Sequence, residues 1–347
     1  MKEGSFSCRF LPLTLLLIFL VLFLAVAETQ AGAIEGYVKQ ASDSAAIPNL
    51  WVDVYDDSGN WLFGDKTDVD GYYILTDLAA GDYKVHYSTY GTNYVSQWYN
   101  NQAIKDDANL VPVSETGTVD LGITSLVTSN AQISGTITVE GDSATFIAGV
   151  YVHLFNETYD LIRSDLTDEN GDYILAGLGV GSYTLRFSAV ATDYVSEWYN
   201  DKEEETADLI TISALDDTHV VNAALALGGS ISGTVTYHGT GDPVVGAWID
   251  AYDSNQVWRG YAETNGNGEY QIKGLPAGPH KLQVFESYGA SFNEWYQDAT
   301  SFAGATEVTV TAGADNSGKD VVLGGAGVLS DFNWLIFMPA LTHRPTP

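Results

Sequence analysis

Three short segments place ring, polar group and ring at alternate positions: Trp51, Asp53 and Tyr55 in "WVDVY", Tyr151, His153 and Phe155 in "YVHLF", and Trp248, Asp250 and Tyr252 in "WIDAY". On a β-strand, residues two apart share a face and stand about 7 Å from one another. Two rings at that spacing suit stacking on the apolar faces of sugar rings, and a carboxylate or imidazole between them can bond hydroxyls. Trp51, Asp53, Tyr55, Tyr151, Phe155, Trp248, Asp250 and Tyr252 are therefore candidate carbohydrate contacts. The competing reading is that a neighbouring strand, a nearby aromatic segment or the adjoining domain covers this face.

A second pattern could bind metal. In "TDVDGYY" and "TDENGDY", Asp68, Asp70 and Gly71, and likewise Asp168, Asn170 and Gly171, match the middle of a calcium loop of the form D-x-[DN]-x-[DN]-G. The first ligand position, however, holds Lys66 or Leu166, and the twelfth holds Asp77 in one copy and Gly177 in the other. Asp or Asn before Gly is also what a tight hairpin turn requires, because the side chain accepts backbone N–H groups and Gly takes positive φ. Calcium at Asp68, Asp70, Asp168 and Asn170 and a plain turn both remain open, and no other cofactor is expected.

Catalysis has little support. His86, His153, His219, His238, His280 and His343 are scattered without metal-ligand spacing. The single cysteine, Cys8, precedes an apolar run, and no G-x-S-x-G or phosphate loop is present. Acids are so frequent that counting them does not decide for or against a glycosidase pair, yet small sandwich domains offer no deep cleft of the usual kind. A net charge of −31 opposes nucleic acid and anionic membrane surfaces as partners. The expected chain is a non-enzyme whose partner is carbohydrate or a surface polymer, with a protein partner as the alternative.

The elements that hold these residues come from a repeat. "AIEGYV", "QISGTITV" and "SISGTVTY" open three units; the acidic turns follow, then "LAAGDYKVHY", "LGVGSYTLRF" and "LPAGPHKLQV". Gly71, Gly171 and Gly268 are spaced by 100 and 97 residues, and so are Trp98, Trp198 and Trp295. The period is one whole domain. Inside each unit the apolar period is two, broken by Gly, Asn and Asp, which indicates antiparallel strands in a sandwich. The expectation is an all-β chain of three tandem antiparallel β-sandwiches over 33–127, 131–226 and 229–325. Linkers as short as "TSNA" imply a semi-rigid rod. With no cysteine beyond the leader, burial of apolar cores must hold each domain.

Each unit also ends in an aromatic segment: "YVSQWYN" at 94–100, "YVSEWYN" at 194–200 and "FNEWYQ" at 292–297. Its recurrence in all three units is what a folding role predicts. Trp98, Tyr99, Trp198, Tyr199, Trp295 and Tyr296 are expected to close the open end of each core, with indole and phenol groups reaching backbone partners. A binding role would instead repeat an aromatic patch once per domain.

The order G-x-[VI], T-D-x-[DN]-G-x-Y, G-L-x-x-G-x-Y and E-W-Y-[ND] resembles the carboxypeptidase regulatory-like repeat. That resemblance implies a seven-stranded prealbumin-like sandwich of the wider carbohydrate-binding-like, Ig-like class, and non-catalytic domains arrayed on exported proteins. The third unit departs from it at Asn265, His280 and Gln297. The collagen-adhesin type of repeat is related, but its Lys–Asn cross-link needs Lys in the first strand and Asn in the last, and no unit has both.

The ends differ from the repeats. Residues 1–27 carry Lys2 and Arg9, an apolar run, and Ala25-Val26-Ala27, the layout of a secretory signal peptide. The chain is thus expected to be secreted or displayed at the cell surface without membrane insertion after cleavage, a retained anchor being the alternative. "NET" at Asn156 is a glycosylation sequon if the host uses that pathway. The tail over 326–347 fits neither repeat nor membrane span.

Overall fold

The computed structural model describes residues 31–200, 202, 206–286 and 293–324. The leader expected over 1–27 and the tail over 326–347 lie outside them. Within the first repeat the strands are β1 (Gly32–Gln40), β2 (Trp51–Asp56), β3 (Trp61–Lys66), β4 (Tyr72–Leu78), β5 (Gly81–Ser88), β6 (Gln97–Trp98), β7 (Val111–Val113) and β8 (Thr118–Leu126). One sheet runs β4-β1-β8 and the other β3-β2-β5-β6, with β7 also paired to β5.

Alternation decides which face is buried. Val52 and Val54 of β2 stand opposite Tyr87 and Val85 of β5 and meet Ile34, Val38 and Leu75 from the other sheet. Fully burying one such aliphatic side chain contributes about 1.5–3 kcal/mol. The Tyr73 and Tyr87 hydroxyls bond one another at 3.0 Å inside this core, and burial drives both phenols far above their ordinary pKa. The other two repeats have their own cores around Ile133, Leu154, Leu185 and Phe187, and around Ile231, Ile249, Leu282 and Val284. Register is also kept: Trp51, Tyr151 and Trp248 pair with Lys66, Leu166 and Glu263, and with Ser88, Ser188 and Phe285.

The architecture is the expected all-β sandwich, with two differences of detail. The first repeat has eight strands, because the aromatic segment itself supplies β6, two residues long. Nor is the pairing wholly antiparallel. β1 runs antiparallel to β4 but parallel to β8. Likewise Gln132–Val139 is parallel to Thr218–Val220 and Ala223–Leu225, and Gly229–Tyr237 to Asp315–Asn316 and Val321–Leu323. Alternation reports which face a residue takes and says nothing about strand direction.

Successive domains touch through one repeated contact. The linker amide of Ser129 donates to the Asn93 carbonyl at 2.7 Å, and that of Gly228 to the Asp193 carbonyl at 2.9 Å. Gly177 and Gly274 have φ of 70° and 66°. A side chain there would strike the preceding domain: a Cβ would come 2.9 Å from the Thr92 carbonyl oxygen at Gly177 and 2.3 Å from that of Tyr194 at Gly274. The first domain has Asp77 in the same conformation, φ 63°. At the first junction the buried Arg163 guanidinium donates to the Thr89 carbonyl (3.1 Å), Thr89 Oγ1 (2.8 Å) and the Tyr94 carbonyl (3.1 Å). At the second, Lys273 Nζ lies 3.0 Å from the Asp193 carboxylate.

Candidate functional site

The outer face of the β3-β2-β5-β6 sheet carries the first aromatic set. Because Val52 and Val54 face the core, Trp51, Asp53 and Tyr55 must face outward. Asp53 stands opposite Gly64 of β3. A Cβ at Gly64 would lie 2.4 Å from Asp53 Oδ1, so glycine there is what lets the carboxylate lie across the strand. Trp61, at the start of β3, donates its indole N–H to that same oxygen at 3.1 Å. Lys66 Nζ sits 4.9 Å from the Trp51 ring centre. Trp51 and Trp61 remain 45% and 52% exposed. The result is two open indoles flanking a fixed carboxylate.

Domain 3 repeats the arrangement with one addition. Trp258 donates its indole N–H to Asp250 Oδ1 at 3.0 Å. Tyr261, at the position of Gly64, stacks on Trp248 (4.9 Å, 14° between planes) and lies beside Trp258 (6.1 Å, 27°). Burial raises the Asp250 carboxyl to about 6, against the opposing effect of the Trp258 hydrogen bond. The middle domain differs. Tyr151 is exposed and stacks on His153 at 5.8 Å, and His153 Nδ1 is 2.7 Å from Ser164 Oγ. Burial first, then the nearby Arg186 charge, lowers the His153 imidazole to about 4, which keeps it neutral. Leu161 replaces the hairpin tryptophan there.

Trp61, Trp258 and Tyr261 were not among the residues expected from sequence. A signal existed: Trp61 and Trp258 each follow the aspartate that closes the preceding strand, Asp56 or Asp253, by five residues. Their hairpin brings them onto the face of the preceding strand.

The second ring of each triad does not belong to an open face. Tyr55 lies 4.9 Å from Trp98, Phe155 lies 5.2 Å from Trp198, and Tyr252 lies 5.6 Å from Trp295. The aromatic segment covers them. This also corrects the expectation that Trp98, Trp198 and Trp295 close the core. Trp98 pairs with His86, an outward residue, and lies 4.6 Å from its ring with the planes tilted by 37°. All three tryptophans are 7–8% exposed yet outside the core clusters. The following tyrosine turns inward instead: Tyr99, Tyr199 and Tyr296 pack on their domain's core, and their amides donate to Val85, Leu185 and Leu282.

The acidic turns are closed on themselves. Asp68 Oδ1 accepts from the amides of Asp70 (2.8 Å) and Tyr72 (2.9 Å), and Asp168 Oδ1 from those of Asn170 (2.8 Å) and Asp172 (3.0 Å). These backbone bonds hold the Asp168 carboxyl below its ordinary range. Asn265 does the same in the third repeat. Gly71, Gly171 and Gly268 supply the positive φ, 79°, 73° and 75°. Among the described residues no group of three or more His, Cys, Asp and Glu is gathered as a metal site would require.

The family model of the carboxypeptidase regulatory-like domain matches residues 132–222 and 230–324, together more than half of the chain. The chain belongs to the carboxypeptidase regulatory-like domain family. Among curated proteins it is 24% identical over 319 residues to serine-aspartate repeat-containing protein D of Staphylococcus aureus (strain Newman), covering 84% of this chain and 23% of that protein. It is 26% identical over 318 residues to serine-aspartate repeat-containing protein F of Staphylococcus epidermidis, covering 80% of this chain and 18% of that protein. The chain thus spans less than a quarter of the length of these relatives. Among solved structures, a Streptococcal ancillary pilin aligns with TM-score 0.29 and 11% identity over 84% of this chain and 98% of that one. The Bacillus anthracis TIE protein aligns with TM-score 0.27 and 16% identity over 85% of this chain and 51% of that one.

Proposed function

We propose that this chain is a non-catalytic array, secreted or displayed at the cell surface, that binds carbohydrate weakly and multivalently through the outer faces of its sandwiches. One observation carries the reading. In domains 1 and 3 an outward tryptophan, an aspartate and a hairpin tryptophan bonded to that aspartate recur in the same register. An indole stacks on a sugar's apolar face, and a fixed carboxylate accepts from hydroxyls at its edge. Export rests on the leader-like N-terminus. The non-catalytic reading is supported by where three of the histidines lie: His86 packs against Trp98, His153 packs between Tyr151 and Phe155, and His280 is buried.

A second reading, a structural stalk whose contacts are with proteins, is favoured by the junctions, where buried Arg163 joins two domains by side-chain hydrogen bonds. A glycan array probed with residues 28–347, alongside Trp51→Ala and Trp61→Ala, separates the two. Carbohydrate binding that weakens in both variants supports the first. A protein that ignores every glycan leaves the stalk.

A further inference from the structure

The aromatic strip of domain 3 continues beyond its own sheet. Tyr261 also lines a cleft of about 560 Å³ between domains 2 and 3, with Val190 and Ala191 contributed by domain 2 and Glu263, Gln271 and Lys273 by domain 3. We propose that this cleft is a two-domain binding site for an uncharged oligosaccharide, an assignment that rests on the carbohydrate reading above and makes it specific.

Three observations converge. The first is the aromatic wall: Tyr261 lines the cleft, Trp248 and Trp258 flank it outside the cleft on the same sheet face, and Tyr261 is held by stacking before any ligand arrives. A preorganised ring loses little freedom on binding. The second is the polar lining. Glu263 and Gln271 are exposed; the Gln271 amide nitrogen donates to Ser230 Oγ at 3.2 Å, which orients its carbonyl oxygen, and that oxygen and the Glu263 carboxylate suit hydroxyl donors. The cation in the cleft, Lys273, is engaged with Asp193 of domain 2. With that charge matched and carboxylates beside it, an anionic sugar is repelled and a neutral one is not.

The third is a comparison within the molecule. The first junction has the same backbone contacts but other residues at the cleft positions. Register places Ser164 where domain 3 has Tyr261, and Ile174 where it has Gln271. Ala176 takes the place of Lys273, and Tyr90 that of Val190. Stacking two such sandwiches therefore does not by itself generate this lining. Only the second junction combines a small domain 2 wall with an aromatic and polar domain 3 wall.

The test uses residues 28–347 and three immobilised probes: neutral β-linked hexose hexasaccharides, uronic-acid oligosaccharides and a lysine-rich decapeptide. Val190→Tyr installs on the domain 2 side the residue that the first junction already carries, so it fills the cleft without touching domain 3. Tyr261→Ser and Gln271→Ile do the same for the other wall, and melting curves confirm folding of each. The expected result is binding to the neutral probe, weakened about tenfold or more by Val190→Tyr and by each domain 3 variant. Binding that weakens in Trp51→Ala but is untouched by Val190→Tyr overturns the cleft and leaves the carbohydrate reading standing. Failure to bind any sugar overturns both, and cleft-dependent binding of the peptide alone shows the ligand to be of another class.

Discussion

Trp198 and Tyr199, neighbours in the sequence, occupy opposite faces of one sheet. Trp198 lies 5.2 Å from Phe155 with the Arg186 guanidinium 5.9 Å from its ring centre, while Tyr199 packs on the core of the middle domain. Replacing Trp198 by Ala uncovers an outer surface that water can fill. The expected cost is about 2–3 kcal/mol, below the roughly 3–5 kcal/mol of a large aromatic enclosed in a core such as Phe187. Trp61→Ala, at an exposed position, should change stability by no more than about 0.5 kcal/mol. Urea denaturation of the three variants measures this order, and a Trp198→Ala protein as damaged as Phe187→Ala would return Trp198 to the core.

The first junction should come apart on one substitution. Arg163→Met leaves the Tyr94 carbonyl without its buried donor and removes the Arg163 bonds to Thr89, whose carbonyl keeps the Thr92 amide and hydroxyl, a loss of about 1–3 kcal/mol in domain coupling. Gly177→Asp, which installs the residue the first domain carries at Asp77, should have a similar effect, because its Cβ meets the Thr92 carbonyl. Both variants are expected to show separate melting of domains 1 and 2 in calorimetry and a broader small-angle scattering distribution. Asp77→Gly should leave both measurements unchanged. An unaltered Arg163→Met profile would mean that the linker alone sets the junction.

Acid should act oppositely on the second and third domains. His153 is lowered to about 4 from 6.5, so its contribution is complete above pH 6.5 and is lost as pH falls through 4. Asp250 is raised to about 6 from 3.8, so domain 3 is favoured below pH 3.8 and loses that contribution as pH rises through 6. Between pH 6.5 and 4 the middle domain's melting temperature should therefore fall while the third domain's rises. His153→Gln should flatten the first trend and Asp250→Asn should weaken the second, which Glu294, also raised by burial, reinforces and His280, lowered by burial, opposes. Parallel trends in the two domains would contradict the burial assigned to these groups.

Calcium is expected to matter little. Asp68 and Asp168 already bind two backbone amides each, so Asp168→Ala should lower the melting temperature by the same amount with and without the ion. Melting curves in millimolar calcium and in EDTA should nearly coincide. A large loss of stability in EDTA, abolished by Asp70→Ala and Asn170→Ala, would establish the metal site instead.

Period-two alternation made the sandwich legible, because which face a residue takes follows directly from the pleat. Val52 and Val54 inside, with Trp51 and Asp53 outside, could be read from five letters. The parallel pairing of β1 with β8 could not, since strand direction depends on contacts between residues far apart. The aromatic segment misled for a related reason. Two adjacent rings in "WYN" suggest a single apolar plug, yet once the chain pairs as β6 they must point apart. Trp61 and Tyr261 were hidden because their role depends on which strand lies beside theirs.

The parallel pairing of the first and last strands has a mechanical meaning. In each domain the chain enters along one of these strands and leaves along its neighbour in the same direction, so a pull between the ends slides the two past each other. Their hydrogen bonds then bear the load together and cannot be opened one after another. Tension applied between the two ends of the array would meet this resistant geometry in every repeat, with no disulfide needed to secure it.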